Sequence, residues 1–497
     1  MNKPQQGQQQ FQKKLNPMDV WAIAFGCIIG WGAFINPGEK FLPNSGVLGT
    51  AIAIAIGAII MIVISVSYAY MIRKHPKAGG EFIFAKQCFG RIPAYICGWF
   101  LIAAYLSNVP LNSTALGLVI DGLAPGALRQ THMYTIANNP IYLGEVLVSC
   151  GVLILFAVIN MLGTKKAGIV QTILAVMLGA TVLILVIAAI ISPKTNWNNI
   201  GPIWGYIKLP EGYESKVGFS GVMSSILATL AIAPWAFVGF ETIPQAAEEF
   251  KFSFKKVIFI MIIAIIFGTF VYIANNTITA MVIENWPEYI LNGGRWPLLF
   301  AAQQILGKIP GSIILGTAVL SAILSGIMGF YMASSRLIFS MGREGYLPKM
   351  FGTVDKKHSV PQFAILFCLL ISLVGPFLGR NALSWFVDMA SIGTSIGFGF
   401  TCLAAFITIQ KEKDGNIFIK ILTITGLVFA GIFIVIQLIP IGNLGVNFSI
   451  PSYIIFGIWI VLGAAFFLWQ ELAKKKRLKE EPAIKNSEQE PTEEKFE

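Results

Sequence analysis

Twelve apolar stretches run the length of the chain, separated by mostly short polar connections. They lie at roughly 18–43, 47–72, 92–120, 142–163, 168–192, 220–246, 256–284, 309–341, 361–379, 383–409, 417–440 and 451–472. A run of about 20 such residues spans the hydrocarbon of a bilayer as a helix. The pattern therefore predicts an all-α polytopic membrane protein of twelve transmembrane helices, the eighth long enough to project beyond the membrane. Two stretches break the rule of continuity. The first carries Gly30, Gly32, Pro37 and Gly38 where a helix should be unbroken; the sixth carries Pro234, Gly239 and Pro244. In hydrocarbon every backbone N–H and C=O needs a partner, so unwound backbone is tolerated only where it is buried or lines a cavity. Gly26 and Gly30 alone have the spacing of a helix-packing motif, but packing does not account for the other glycines and prolines together. Breaks at the start of each of two halves point to a binding site at mid-membrane.

Composition agrees. The 497 residues are 55% hydrophobic and 12% charged, about half the charge of a soluble protein. The net charge of +11 does not imply a nucleic-acid partner, because the basic residues sit in short connections and not on one face. They set topology instead. Connections on the side of the two tails carry 17 Lys and Arg, from Arg73 to Lys420, against 8 on the other side. The expectation is a multi-pass plasma-membrane protein with residues 1–16 and 473–497 as cytoplasmic tails around a domain at 17–472. The charged stretch 482–497 is expected to be disordered. No cleavable leader is read at the N-terminus. The connection 193–219 is long, and its Trp197, Trp204, Tyr206 and Tyr213 suggest packing at the membrane interface. Six scattered cysteines and three scattered histidines give neither a disulfide framework nor a metal site, and no cofactor is expected.

A helix interrupted at mid-membrane frees N–H groups on one half and carbonyls on the other, each end acting as roughly half a charge. Amides at Gly30-Trp31-Gly32 suit a carboxylate. Carbonyls near Ile28, Trp235 and Val238 suit an ammonium group. A zwitterionic amino acid carries both charges on one carbon.

Four motifs carry a family resemblance. Gly-Cys-Ile-Ile-Gly-Trp-Gly-Ala-Phe at 26–34 resembles the first-helix signature of the amino acid–polyamine–organocation permeases. Phe237-Val-Gly-Phe-Glu241, with Ala246-Ala-Glu-Glu249, resembles their sixth-helix motif. Arg336 with Met341-Gly-Arg-Glu-Gly-Tyr-Leu-Pro348 resembles the end of their eighth helix, and Ser391-Ile-Gly-Thr394 resembles their tenth. The resemblance covers about residues 15–475. It implies a LeuT-type fold with discontinuous helices 1 and 6: two inverted five-helix repeats at about 17–192 and 220–409, then two extra helices at 417–440 and 451–472. It implies secondary transport of amino acids by alternating access, as uniport, exchange or ion-coupled symport. By the same resemblance Ile28, Gly30, Trp31 and Gly32 frame the substrate from the first helix, Trp235 and Val238 from the sixth, with Phe237 and Phe240 alongside. Two departures stand out. Trp31 replaces a small residue, and Leu178 replaces the lysine through which some proton-coupled members work.

Charges at membrane depth are functional candidates. Glu241 is the candidate for proton or substrate linkage. Arg336 is a candidate gate residue, with Glu248, Glu249 and Lys251 as partners or simply as exposed loop charges. Asp388 and Glu145 read as structural residues near the exterior. Asn108 is a candidate for the substrate side-chain pocket, with Ser107 and Asn112 beside it around Pro110. Ser334 and Ser335 could offer oxygens to a sodium ion. The expected partners are thus an amino acid, a proton or sodium ion, and the lipid bilayer. The alternative in the same class is an amine or polyamine exchanger, which would make no use of a carboxylate-binding loop. A membrane enzyme would want a His/Asp or Ser/Asp pair at membrane depth, and an ATP-driven pump a phosphate loop; neither pattern occurs.

Overall fold

The computed structural model describes residues 11–136, 139–355, 357–380, 382–412, 416–440 and 447–487. Its two compact units are 1–448 and 449–497. In the first, α1 (Pro17–Ile28) stops at the glycine-rich break and α2 (Gly32–Asn36) restarts the chain. A π-helical turn at Pro37–Phe41 leads straight into α3 (Leu42–Lys74). The expected first and second stretches are therefore joined, with no loop at 44–46. The direction change falls on Gly46, which holds φ +63° and whose missing side chain admits the backbone of Ile203 and Gly205. Next come α4 (Gly80–Phe89), α5 (Arg91–Leu123), α6 (Leu143–Met161) and α7 (Thr164–Ile191). A hairpin of β1 (His132–Ile136) and β2 (Asn139–Tyr142) precedes α6, and a second, β3 (Tyr206–Lys208) and β4 (Tyr213–Ser215), follows α7.

The sixth stretch is broken as expected. Helix α8 (Gly218–Leu230) ends, α9 (Ala233–Ala236) is one turn, and Phe240–Glu249 continues as a 3-10 helix, the two halves bent by 42°. Then follow α10 (Val257–Val282), the short α11 (Trp286–Leu291) and α12 (Pro297–Leu306), and α13 (Lys308–Arg343). The ninth stretch divides into α14 (Gln362–Ser372) and α15 (Gly375–Leu378), before α16 (Ala382–Lys411) and α17 (Ile417–Leu438). The second unit holds α18 (Ile450–Ser487). It runs past the expected end at 472, so 482–487 is helical; 488–497, the rest of the stretch expected to be disordered, and residues 1–10 of the N-terminal tail lie outside the described residues.

Among the described residues, nine helices are long and apolar enough to cross a membrane, ten if the bent pair at 218–249 counts as one. The protein is a helical, multi-pass membrane protein. Helices α13 and α5 form its centre, 72% and 67% of their most apolar windows being buried, whereas α17 is 22% buried. Outward faces stay apolar, as with Ile173, Val176, Ile184 and Ile187 on α7 and Ile421, Val428 and Ile432 on α17. Hydrocarbon solvates such faces and water does not. The long connection at 193–219 packs as expected through Tyr206, buried against Trp286 with ring centroids 5.8 Å apart, although Trp197 is exposed.

Candidate functional site

The two breaks meet. Gly239 (φ +148°) carries no side chain because a Cβ there would lie 2.5 Å from the Ile28 nitrogen and 2.7 Å from the Cys27 carbonyl carbon. This close approach needs glycine twice over, for its φ and for its space. Around the junction lies a small cavity, lined by Cys27, Ile28, Gly30 and Trp31 of the first break, Trp235 and Val238 of the second, Asn108, Leu111 and Asn112 of α5, Tyr272 of α10 and Phe330 of α13.

Its backbone polarity follows from where each helix stops. The Ile29 amide still bonds to the Phe25 carbonyl at 3.0 Å, and the ladder resumes with Ala33 to Gly30 at 3.2 Å and Phe34 to Trp31 at 3.0 Å. Between them, the amides of Gly30, Trp31 and Gly32 have no backbone acceptor among the described residues. A new helix always leaves its first N–H groups free. The Ile28 carbonyl accepts the Tyr272 hydroxyl at 3.5 Å. Among the described residues, no charged side chain lines the cavity.

Six of the expected substrate residues come together here: Ile28, Gly30, Trp31, Asn108, Trp235 and Val238. Gly32 lies directly behind Trp235, whose ring a Cβ on Gly32 would overlap. The Trp31 ring is tilted 60° to that of Trp235, centroids 6.1 Å apart, and its Nε1 is buried with no acceptor among the described residues. Phe237 and Phe240 stand apart from the lining. Phe237 packs towards Tyr272 at 6.3 Å, and Phe240 stacks on Phe398 at 5.5 Å. The α5 asparagines bond along their own helix, Asn108 to the Ala104 carbonyl and Asn112 to the Asn108 carbonyl, both at 2.9 Å, leaving Asn112 Oδ1 without a donor among the described residues. Leu111, Tyr272 and Phe330 carry no mark in the sequence that separates them from other helix residues.

Glu241 is buried beside the cavity and not in its lining; its Oε2 accepts the Gly239 N–H at 2.7 Å. Arg336 is farther along α13, fully buried. Its Nε donates to Glu249 at 2.9 Å, and its other nitrogens to Ser335 at 3.1 Å and Thr164 at 3.2 Å. Glu249 and Glu248 are therefore not exposed loop charges. Glu248 pairs with Arg343 at 2.6 Å and accepts the Ala78 N–H at 3.0 Å. Ser334 and Ser335 sit with Arg336, away from the break; the α13 hydroxyl that reaches α1 is Ser325, donating to the Gly26 carbonyl at 3.1 Å. Glu145 pairs with Arg129 at 3.1 Å and Arg380 at 2.8 Å. The chain before α1 closes over the Arg336 pair. Leu15 bridges to Phe250 in parallel, and Phe11 packs on Phe339 with ring centroids 4.7 Å apart.

Comparison with known proteins bears on this geometry. The family described as amino acid permease matches residues 15–461. A branched-chain amino acid permease of Bacillus subtilis is 26% identical over 483 residues, 93% of this chain and 93% of that protein. A vacuolar cationic amino acid transporter of Arabidopsis thaliana is 26% identical over 415 residues, 82% of this chain, which spans only 65% of that transporter's length. A large neutral amino acids transporter small subunit of Homo sapiens is 25% identical over 412 residues, 81% of this chain and 71% of the relative. These relatives are permeases and transporters, not enzymes. With its broken apolar helices and a match over most of its length, the chain belongs to the amino acid permease family, within the amino acid–polyamine–organocation superfamily.

Proposed function

We propose that this permease is a secondary transporter of neutral amino acids with apolar side chains. It works by alternating access on the LeuT-type plan, with two inverted repeats at about 17–192 and 220–409 and extra helices beyond, in the plasma membrane with both termini cytoplasmic. The observation that supports the reading is the small cavity between the two breaks, lined by Ile28, Gly30 and Trp31 of the first and by Trp235 and Val238 of the second, with no backbone acceptor for the Gly30 and Trp31 amides among the described residues. The α-carboxylate rests on the amides of Gly30, Trp31 and Gly32. The α-ammonium lies against the carbonyls of Ile28 and of the second break around Trp235 and Val238. Leu111, Val238 and Phe330 surround the side chain, with Asn108 and Asn112 at its edge. A guanidinium or ammonium side chain would find no carboxylate in that lining, and burying an unpaired charge is costly. The same absence disfavours the polyamine alternative. Arg336 and Glu249 belong to the closed gate on the cytoplasmic side.

The test is thermal stabilisation of the purified protein by leucine, isoleucine and valine, set against arginine and against isoamylamine, the decarboxylated form of leucine. A ligand at about 100 times its Kd stabilises the folded state by roughly 2.7 kcal/mol. Leucine should raise the melting temperature and drive its own uptake in proteoliposomes, while isoamylamine does neither. Stabilisation by isoamylamine or arginine alone would sink the assignment.

A further inference from the structure

One fully buried carboxylate lies where the hydropathy pattern shows only a connection. Glu81 stands in the first turn of α4, between two spans, with 0% of its surface exposed. Three donors reach it from three other elements. Tyr68 of α3 donates to Oε1 at 2.9 Å and Tyr105 of α5 to the same oxygen at 3.2 Å. Gln245, just after the second break, donates its Nε2 proton to Oε2 at 2.6 Å. No cation pairs with Glu81 among the described residues. The basic side chains of this face are engaged elsewhere: Lys86 with Glu344, Arg336 with Glu249, Arg343 with Glu248 and Lys74 with Glu412. The titratable groups that face Glu81 are Tyr68 from α3, Cys97 and Tyr105 from α5, and Glu241 from the 3-10 helix. From α13 and α16 the neighbours are uncharged: Ser340 beside Gly79, and Phe398 and Thr401 behind Tyr68.

A buried carboxylate without a counter-charge is held by donors or neutralised by a proton. Burial pushes the Glu81 carboxyl up to about 7, against the pull of its three hydrogen bonds. Tyr105 makes this more than a static buried acid. Its hydroxyl oxygen lies 3.2 Å from Glu81 Oε1 and also 3.2 Å from the backbone carbonyl of Glu241. One hydroxyl proton serves one acceptor at a time. With Glu81 ionised it goes to the carboxylate. When a proton from water adds to Glu81, the new O–H can donate to the Tyr105 oxygen, and the Tyr105 proton is released to the Glu241 carbonyl beside the break. Glu241 has no such relay: its Oε2 accepts the Gly239 amide proton at 2.7 Å and its Oε1 has no hydrogen-bond partner among the described residues.

We propose that Glu81 is the proton-binding site of this permease, and that Tyr105 relays its protonation to the backbone of the second break. Binding of the proton rests on the burial and hydrogen bonds of Glu81 and not on transport; its coupling to flux rests on the transport function proposed above.

Infrared spectroscopy of the full-length protein in liposomes tests the site without any substrate. As pH falls through about 7, a protonated-carboxyl C=O stretch should appear. It should be absent in Glu81→Gln. In Tyr105→Phe and Tyr68→Phe, which keep the carboxyl, the band should titrate about one pH unit higher, because each removes a donor to the ionised form. A band that survives in Glu81→Gln and vanishes in Glu241→Gln would overturn the proposal, as would no band in the wild type. Unshifted midpoints in both Tyr variants would overturn it too, even if Glu81→Gln fails to fold. For coupling, leucine uptake by the wild type should rise as pH falls, and Glu81→Gln should lose that rise while leucine still stabilises it. Wild-type uptake indifferent to pH would overturn the relay. If no amino acid stabilises the wild type while the band still titrates with Glu81, the transport reading fails and the proton site stands.

Discussion

At the scale of single residues, two neighbouring glycines do different work. A Cβ on Gly30 would meet nothing nearer than Asn112 Oδ1, at 3.7 Å, an ordinary contact at the cavity edge. A Cβ on Gly32 would overlap the Trp235 ring, which itself lines the cavity. Overpacking of that kind costs about 1–3 kcal/mol, and here the strain falls on a wall of the proposed substrate site. Gly32→Ala should therefore weaken leucine binding about ten-fold or more, whereas Gly30→Ala should stay within about three-fold; a bulky residue at Gly30 should abolish binding by filling the space. Titration calorimetry in detergent reads all three. Equal affinities for Gly32→Ala and the wild type would mean that Trp235 is not part of the substrate wall.

At the scale of elements, the long-range ion pair Arg336–Glu249 joins α13 to the end of the broken sixth segment, with both side chains 1% exposed. Removing one partner leaves a charge in a dry site, at a cost of about 3–5 kcal/mol, whereas replacing both by apolar groups can be near neutral. Glu249→Gln alone should lower the melting temperature strongly, and Arg336→Met combined with Glu249→Leu should recover most of the loss. A double variant as unstable as the sum of the singles would deny that the two act as a pair. This pair also shows the limits of reading the chain. The broken helices were legible because glycine and proline mark them in the backbone itself, and five of the lining residues lie at those breaks; the sixth, Asn108, was read from the polar cluster around Pro110. Arg336 was legible as a charge at membrane depth and Glu249 as one of three candidate partners, but the partner lies 87 positions away, and no local pattern chooses it over Glu248 or Lys251. Glu81 was hidden because α4 looks like a polar connection, although the fold tucks it inside. Leu111, Tyr272 and Phe330 were hidden for the opposite reason, since in an apolar helix the inward residue resembles the outward ones. Phe237 and Phe240 flank the break in sequence, yet Phe237, at the end of α9, packs towards Tyr272, and Phe240, at the start of the 3-10 helix, stacks on Phe398.

At the scale of the whole transmembrane domain, the cavity is closed from two directions. On one side α2 is clasped by its neighbours, Trp296 Nε1 donating to the Phe34 carbonyl at 2.9 Å and Asn275 to the Ala33 carbonyl at 2.9 Å, with the Trp31 and Trp235 rings beneath. On the other, the Gly239–Ile28 junction, the Arg336–Glu249 pair and the strap at 11–15 lie in succession, the strap fixed where the Lys14 and Leu15 amides donate to the Glu249 carbonyl at 2.8 and 2.9 Å. A molecule closed this way, if it transports, must open to each side in turn, and Cys27 reports on the opening because it lines the cavity and is only 5% exposed. A thiol reagent can reach it only while a path is open and the cavity is empty. Leucine at ten times its Kd leaves about one molecule in eleven empty, so labelling of Cys27, followed by peptide mass spectrometry, should slow about ten-fold. Cys368 and Cys402, each 0% exposed and outside the lining, are internal controls whose labelling leucine should leave alone. A Cys27 rate unmoved by saturating leucine would place the substrate elsewhere. Equal slowing at all three cysteines would mean that leucine only stiffens the fold.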